Sequence, residues 1–324
     1  MHVNISQHSQ FTPHSTLRTY FIHSALNSML DLRLLLVALV WGINFSVIKA
    51  ALADFLPLSF AVVRFALAAL ALFAAMAARR ISFTVDRRDL LPIASLGLVG
   101  ITLYNLLFMK GLQLTTASHS ALFISLSPLF AALFQTLRGR ERMTPFLAAG
   151  LLLATAGAYC IIRSTHGEIR FGTNTVTGDL LTIGASVLWA LYTVLAAPLL
   201  ERYPPITVTA WSIAAGTVLL LPLSAGELAR QSWNTLPPGA WAALAFAALV
   251  GAGAAYVLWY EGVKRIGATR TIAYHYIVPF VAVLTAALFL GDAIRPLTIA
   301  GGAAILAGVA LVQQRTAEGK TRGR

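Results

Sequence analysis

GLQLTTASHSALFISLSPLFAALFQTLRGRERMTPFLAAGLLLATAG, residues 111–157, returns 151 positions later as GVKRIGATRTIAYHYIVPFVAVLTAALFLGDAIRPLTIAGGAAILAG, residues 262–308. The register holds without a gap over the longer match 108–160. Gly111, Ala117, Pro128, Pro145, Gly150 and Gly157 meet Gly262, Ala268, Pro279, Pro296, Gly301 and Gly308, and Glu141 meets Asp292. An earlier match at offset 148 pairs Trp41, Asn44 and Pro57 with Trp189, Tyr192 and Pro205, so one loop differs in length by three residues. The chain is two copies of one unit. An odd number of membrane spans between equivalent residues turns the second copy upside down.

The spans follow from composition. Of 324 residues, 58% are hydrophobic and 11% charged, with a mean hydropathy of +0.75, outside the range of soluble globular domains. Apolar stretches of about 18 to 22 residues match the length an α-helix needs to cross roughly 30 Å of hydrocarbon. Ten are expected, at 34–53, 57–78, 90–110, 116–137, 145–162, 178–200, 206–225, 239–260, 268–290 and 296–313. Residues 1–28 are polar, lack the apolar core of a signal peptide and are expected to be disordered. Met29 stands just before the first span and is the expected natural start. Residues 314–324 form a basic cytoplasmic tail.

A net charge of +12 raises the question of a nucleic-acid partner, but the basic residues are spread over short loops between spans. Placing both termini in the cytoplasm puts seventeen Lys and Arg on that side, Arg79, Arg80, Arg138, Arg140, Arg142 and Arg270 among them. The other side receives four, Arg163, Arg170, Arg230 and Arg295. This is the positive-inside asymmetry of an inner-membrane protein, and no nucleic-acid partner is expected. A single cysteine, Cys160, excludes an intramolecular disulfide and a thiolate metal site. Four of the seven histidines (His2, His8, His14 and His23) lie in the polar segment, and no metal or cofactor is implied.

Five spans separate equivalent points, so the repeats are inverted. Secondary transporters recurrently use such a pair, with substrate bound near the midplane between the halves. Trp41-Gly42-Ile43-Asn44-Phe45, followed by Lys49, Pro57 and Arg64, resembles the opening of an EamA domain. Ala117, Ser118, the segment Ser125 to Leu129, Glu141, Thr144, Gly150 and Gly157 follow the same pattern. The second copy repeats it with Ala268, Pro279, Asp292, Gly301 and Gly308, where Asp292 departs from the more usual Glu. The resemblance covers residues 34–313 and implies an all-α membrane protein of the drug/metabolite transporter superfamily. Its ten helices would form two five-helix repeats, 29–163 and 178–313.

Candidate substrate residues come from polar or aromatic side chains placed within spans. Trp41 and Asn44 share a helix face, as do their counterparts Trp189 and Tyr192. Arg64 lies inside the second span, where a charge costs a few kcal/mol, and its counterpart is Ser212. It either receives a substrate carboxylate or phosphate, or bonds helix-end carbonyls or snorkels to an interface. The structural role is preferred, because the resemblance implies that arginine is general at this position. Lys49 is expected to snorkel. His275 is the most informative titratable group, flanked by Tyr274 and Tyr276 and followed by Pro279. Proline lacks an amide hydrogen, so Pro279 frees the carbonyl of residue 275, as Pro128 frees that of Ile124. Such helix breaks place polar backbone against a cavity. A neutral His275 satisfied by one of its tyrosines is weighed against contact with substrate or carriage of a coupling proton. Tyr104, Asn105, Tyr256 and Tyr260 are further cavity candidates. Glu261 with Lys264 and Arg265 is expected to form a local ion-pair cluster. The glycine pairs of spans five and ten point to scaffold packing or a subunit contact, which leaves a homodimer open.

No Asp or Glu falls in the middle of a span, which argues against the carboxylate proton switch of small multidrug transporters. No GxxxxGK[ST] phosphate loop, HExxH or GxSxG is present, so neither primary energy coupling nor enzyme chemistry is expected. The leading expectation is a secondary exporter of a small amino acid or related metabolite. The alternatives are a carrier for a cationic drug, nucleotide sugar or lipid, and more remotely an intramembrane enzyme.

Overall fold

In the computed structural model, which describes residues 31–114, 123–166, 176–290 and 295–313, the described residues are helical with no strand. The first repeat contains α1 (Leu32–Ala51), α2 (Pro57–Ala78), α3 (Arg87–Gly97), α4 (Tyr104–Leu114), α5 (Ser127–Leu137) and α6 (Pro145–His166). The second contains α7 (Val176–Arg202), α8 (Pro205–Arg230), α9 (Pro238–Phe246), α10 (Ala255–Ile266), α11 (Ala268–Ala273), α12 (Ile277–Leu290) and α13 (Pro296–Gln313). Helix starts follow from turn chemistry. Pro57, Pro145, Pro205, Pro238 and Pro296 each open a helix, where the missing N–H costs nothing and φ is already set. Asp31 caps α1 by accepting from the Arg33 amide at 3.0 Å.

Seven helical stretches among the described residues are long and apolar enough to span a bilayer. They are Pro57–Ala78, Arg87–Gly111, Pro145–Ser164, Val176–Arg202, Pro205–Arg230, Pro238–Ile266 and Pro296–Gln313. The shorter apolar helices Leu32–Ile48 and Ser127–Leu137 accompany them. The expected spans at 90–110 and 239–260 are not uniform α-helices. Each widens mid-way into a π-helical segment, Leu98–Leu103 between α3 and α4 and Ala247–Ala254 between α9 and α10. The expected span at 268–290 is broken at Tyr274–Tyr276 by a 3-10 turn. Pro128 and Pro279 both sit in the first turn of the helix that follows a break, α5 and α12. Ala117, Ser118, Asp292 and the side chain of Lys49 lie outside the described residues, as do both terminal segments.

The inversion is visible where α6 meets α13. A Cβ on Gly150 would lie 2.9 Å from the Gly308 carbonyl oxygen, and one on Gly157 would lie 2.6 Å from that of Gly301. Gly308 and Gly301 are the equivalents of Gly157 and Gly150, so each helix meets its own counterpart end to end and the two run antiparallel. The glycine faces are consumed by this contact within the chain. They form scaffold and offer no subunit contact.

Two rims bound the bundle. At the start of α1, Arg33 pairs with Glu261 at 2.9 Å, Arg265 pairs with Asp31, and the Asp31 amide donates to the Tyr274 hydroxyl at 2.7 Å. Nearby, Arg202 pairs with Asp89 at 2.5 Å and Tyr203 donates to the same carboxylate at 2.7 Å. Glu261 therefore pairs across the repeats and not with the Lys264 and Arg265 of its own helix end. The opposite rim is held by side chains that bond backbone groups. Glu227 of α8 accepts from the amides of Leu58 and Ser59 at 2.7 and 3.4 Å, and Gln231 bonds the Leu56 amide and the Asp54 carbonyl.

Candidate functional site

Between the repeats, α1, α7, α10 and the Tyr274–Tyr276 turn bring five rings together. Trp41 lies 5.4 Å from Trp189, 5.8 Å from Tyr256, 5.0 Å from Trp259 and 5.9 Å from His275, centroid to centroid. Trp189 lies within 5.8 Å of Tyr256, Trp259 and His275. Tyr104 adds an edge, 5.4 Å from Trp189 and stacked on Phe108. Most contacts are edge-to-face or tilted, the arrangement that aligns ring edges with ring faces. Trp189 and Tyr256 are buried, while Trp41, Tyr104 and His275 are partly exposed.

The two π-helical segments flank this ring cluster. They are rare wide turns that leave backbone carbonyls off the regular ladder. The Trp41 indole donates to the Gly251 carbonyl at 3.0 Å. Asn44 presses against Gly251, where a Cβ would fall 2.8 Å from its amide nitrogen. In the mirror position Tyr192 presses on Gly100, where a Cβ would fall 2.1 Å from its ring. The symmetry then fails. The indole nitrogen of Trp189 is buried without a hydrogen-bond partner among the described residues, as is the Asn44 side-chain oxygen. Buried polar atoms of this kind are unusual and call for an explanation.

Arg64 is 7% exposed. It does not snorkel, and among the described residues it bonds no helix-end carbonyl. Its guanidinium donates to the Asn105 side-chain oxygen at 3.3 Å, and Asn105 is itself anchored on the Ile101 carbonyl at 2.6 Å. The guanidinium carbon lies 4.3 Å from the centroid of Phe65, whose ring is 6.3 Å from Tyr256. Its Nε has no partner, and among the described residues no carboxylate lies within ion-pairing distance. A buried cation without a counter-ion costs several kcal/mol, of which a stacked ring offsets about 2.

His275 is bonded by neither neighbouring tyrosine. Its Nδ1 lies 3.1 Å from the Ser127 hydroxyl, just ahead of Pro128, so the histidine joins the two helix breaks. Tyr274 is held at the charged rim, and the Tyr276 hydroxyl pairs with Thr155 of α6 at 2.7 Å, facing the scaffold and not the ring cluster. Tyr192 and Tyr260 stack 5.1 Å apart in a fully buried layer behind the cluster. Trp259, Ser127 and Phe65 were missed by the sequence reading. Trp259 was within reach, since it stands three residues after Tyr256 on the same helix face. Ser127 and Phe65 carry no such signal.

An inverted pair of repeats is a recurring transporter arrangement, and comparison with known proteins agrees. The EamA-like transporter family model matches residues 29–163 and again 176–313. This chain belongs to the EamA-like transporter family. A protein of Archaeoglobus fulgidus named an uncharacterized transporter is 32% identical over 288 residues, covering 88% of this chain and 98% of its own. A protein of Streptantibioticus cattleyicolor named a probable terminal-alkyne amino-acid exporter is 31% identical over 284 residues, covering 87% and 93%. A solved crystal structure superposes with a TM-score of 0.72 at 22% identity, covering 90% of this chain and 99% of that one, and shares its fold. This EamA-like chain is therefore a multi-pass membrane protein of a transporter family.

Proposed function

We propose that this EamA-like protein is a secondary transporter that exports a small amino acid or related metabolite by alternating access. Ten helices in two inverted five-helix repeats would lie in the inner membrane with both termini cytoplasmic. The observation that carries the reading is Arg64, a buried guanidinium without a counter-ion among the described residues, at the edge of an aromatic cluster. A substrate carboxylate supplies the missing charge through charge-assisted hydrogen bonds, and the rings of Trp41, Trp189, Tyr256 and Trp259 receive the apolar remainder. The likeness to the Streptantibioticus exporter favours an amino acid. His275 stands among these rings, bonded to Ser127, and contacts the substrate or carries a coupling proton.

A counterflow screen in proteoliposomes, using neutral amino acids, their carboxyl-amidated analogues, nucleotide sugars and cationic drugs, tests this. Exchange of amino acids but not of their amides is expected. The ring cluster also suits a cation over ring faces, so exchange of drugs with indifference to carboxylates selects that second reading. Transport by His275→Ala with unchanged affinity and pH profile removes that residue from the site.

A further inference from the structure

A cavity lies away from the ring cluster, at the seam between the repeats on the arginine-rich face, with a volume of about 380 Å³. The loop from α5 to α6 supplies Arg140, Glu141 and Arg142, and the link from α10 to α11 supplies Gly267, Thr269 and Arg270. The lone acid is already engaged. Glu141 accepts the hydroxyl proton of Thr269 across the seam, and the Arg270 carbonyl is held by the Gln313 amide at 3.0 Å. Among the described residues none of the three arginines has a carboxylate partner. The Gln135 side-chain oxygen at the same cavity is buried and unpartnered.

We propose that this cavity binds the phosphate headgroup of an anionic phospholipid from the leaflet on that side. Three facts point to that ligand. Guanidinium groups bind phosphate oxygens in fork geometry, and three arginines line this cavity against one carboxylate, which already accepts from Thr269. Leu147, Leu311 and Val312 line the cavity beside its polar wall, giving the glycerol and upper acyl carbons an apolar surface. Met143 and Phe146 are exposed next to it, at 43% and 60%, on the side where acyl chains would run. A soluble anion would use the arginines but not this apolar surround. Basic pockets between helices on the cytoplasmic side are known to suit anionic headgroups. Because the walls come from both repeats, a bound lipid favours the conformer in which the α5–α6 loop and the α10–α11 link stand this close.

The test is thermal unfolding of the full chain in detergent, titrated with phosphatidylglycerol, phosphatidylcholine or inorganic phosphate. Phosphatidylglycerol is expected to raise the midpoint saturably and the other two to leave it unchanged. Each arginine changed to glutamine (Arg140→Gln, Arg142→Gln, Arg270→Gln) is expected to weaken half-saturation about fivefold. The double variant Arg79→Gln/Arg80→Gln, which removes two charges exposed at the end of α2 and outside the cavity, is expected to leave it unchanged. Equal weakening by the Arg79 and Arg80 changes means only diffuse surface charge and overturns the site. Equal protection by inorganic phosphate overturns the lipid as its occupant.

Discussion

The two sides of the ring cluster descend from one sequence unit, and they differ in which polar groups are satisfied. On the first side Trp41 is bonded to the Gly251 carbonyl, Asn44 presses on the same π-helical segment, and Arg64 stands unpaired on the next helix. On the second side the indole of Trp189 is free, Tyr192 presses its ring on Gly100, and Ser212 replaces the arginine with its hydroxyl tied to Thr209. The frame is common, since the α6–α13 contact is symmetric to the residue. Duplication thus supplies a frame with equivalent halves, and the proposed selectivity rests on divergence at a few inward positions. A symmetric substrate needs no such divergence, and an amino acid with one anionic end does.

The largest expected effect breaks this asymmetry at its charged end. Arg64→Gln is expected to weaken the apparent affinity for a carboxylate substrate about 100-fold, the scale of a lost charge-assisted bond, while Ser212→Ala stays within about twofold. Concentration-dependent counterflow measures both. Equal losses in the two variants would mean that neither side is specialised.

Next in size is packing on the π-helical segments. Gly100→Ala drives a methyl into the buried ring of Tyr192 and is expected to cost about 2 kcal/mol of stability, and Gly251→Ala, which meets the short amide of Asn44, about 1. Thermal unfolding midpoints give the order, and a larger loss at Gly251 contradicts it. Trp41→Phe is expected to cost about 1 kcal/mol for the bond to Gly251. Trp189→Phe removes no bond and should cost less stability but more substrate affinity, because a free buried indole N–H is available to a ligand. Reversal of that split, read from midpoints and counterflow on the same two proteins, removes Trp189 from the site.

The smallest effect concerns the rims. Arg33 and Glu261 are both substantially exposed, so a double-mutant cycle of Arg33→Gln and Glu261→Gln is expected to give a coupling of about 0.5 kcal/mol, screened by salt. On the opposite rim, where the Glu227 carboxylate accepts from backbone amides, the stability cost of Glu227→Gln should show no comparable dependence on salt.

Much of this molecule is legible in one dimension. Hydropathy marks the spans because the bilayer requires length and apolarity of every segment. The 151-residue offset shows the duplication, and the parity of spans makes it inverted. Proline at residues 128 and 279 marks the helix breaks because a missing N–H is a local property. The candidate residues Trp41, Trp189, Tyr256 and His275 stand out as aromatic or titratable groups within apolar runs, and Arg64 as a charge within one. Tertiary structure alone decides which of these polar atoms are satisfied. Only the folded chain ties Tyr276 to Thr155 and Tyr274 to the charged rim, joins His275 to Ser127, and leaves Arg64 and Trp189 with unpartnered N–H groups. The same holds for the π-helical segments, which need a ring or amide from the opposite repeat to occupy the space beside a glycine. Hydrogen bonding and close packing act over about 3 Å between residues more than a hundred positions apart, so a repeat read along the chain reveals the frame while the partners appear only when the two copies close on each other.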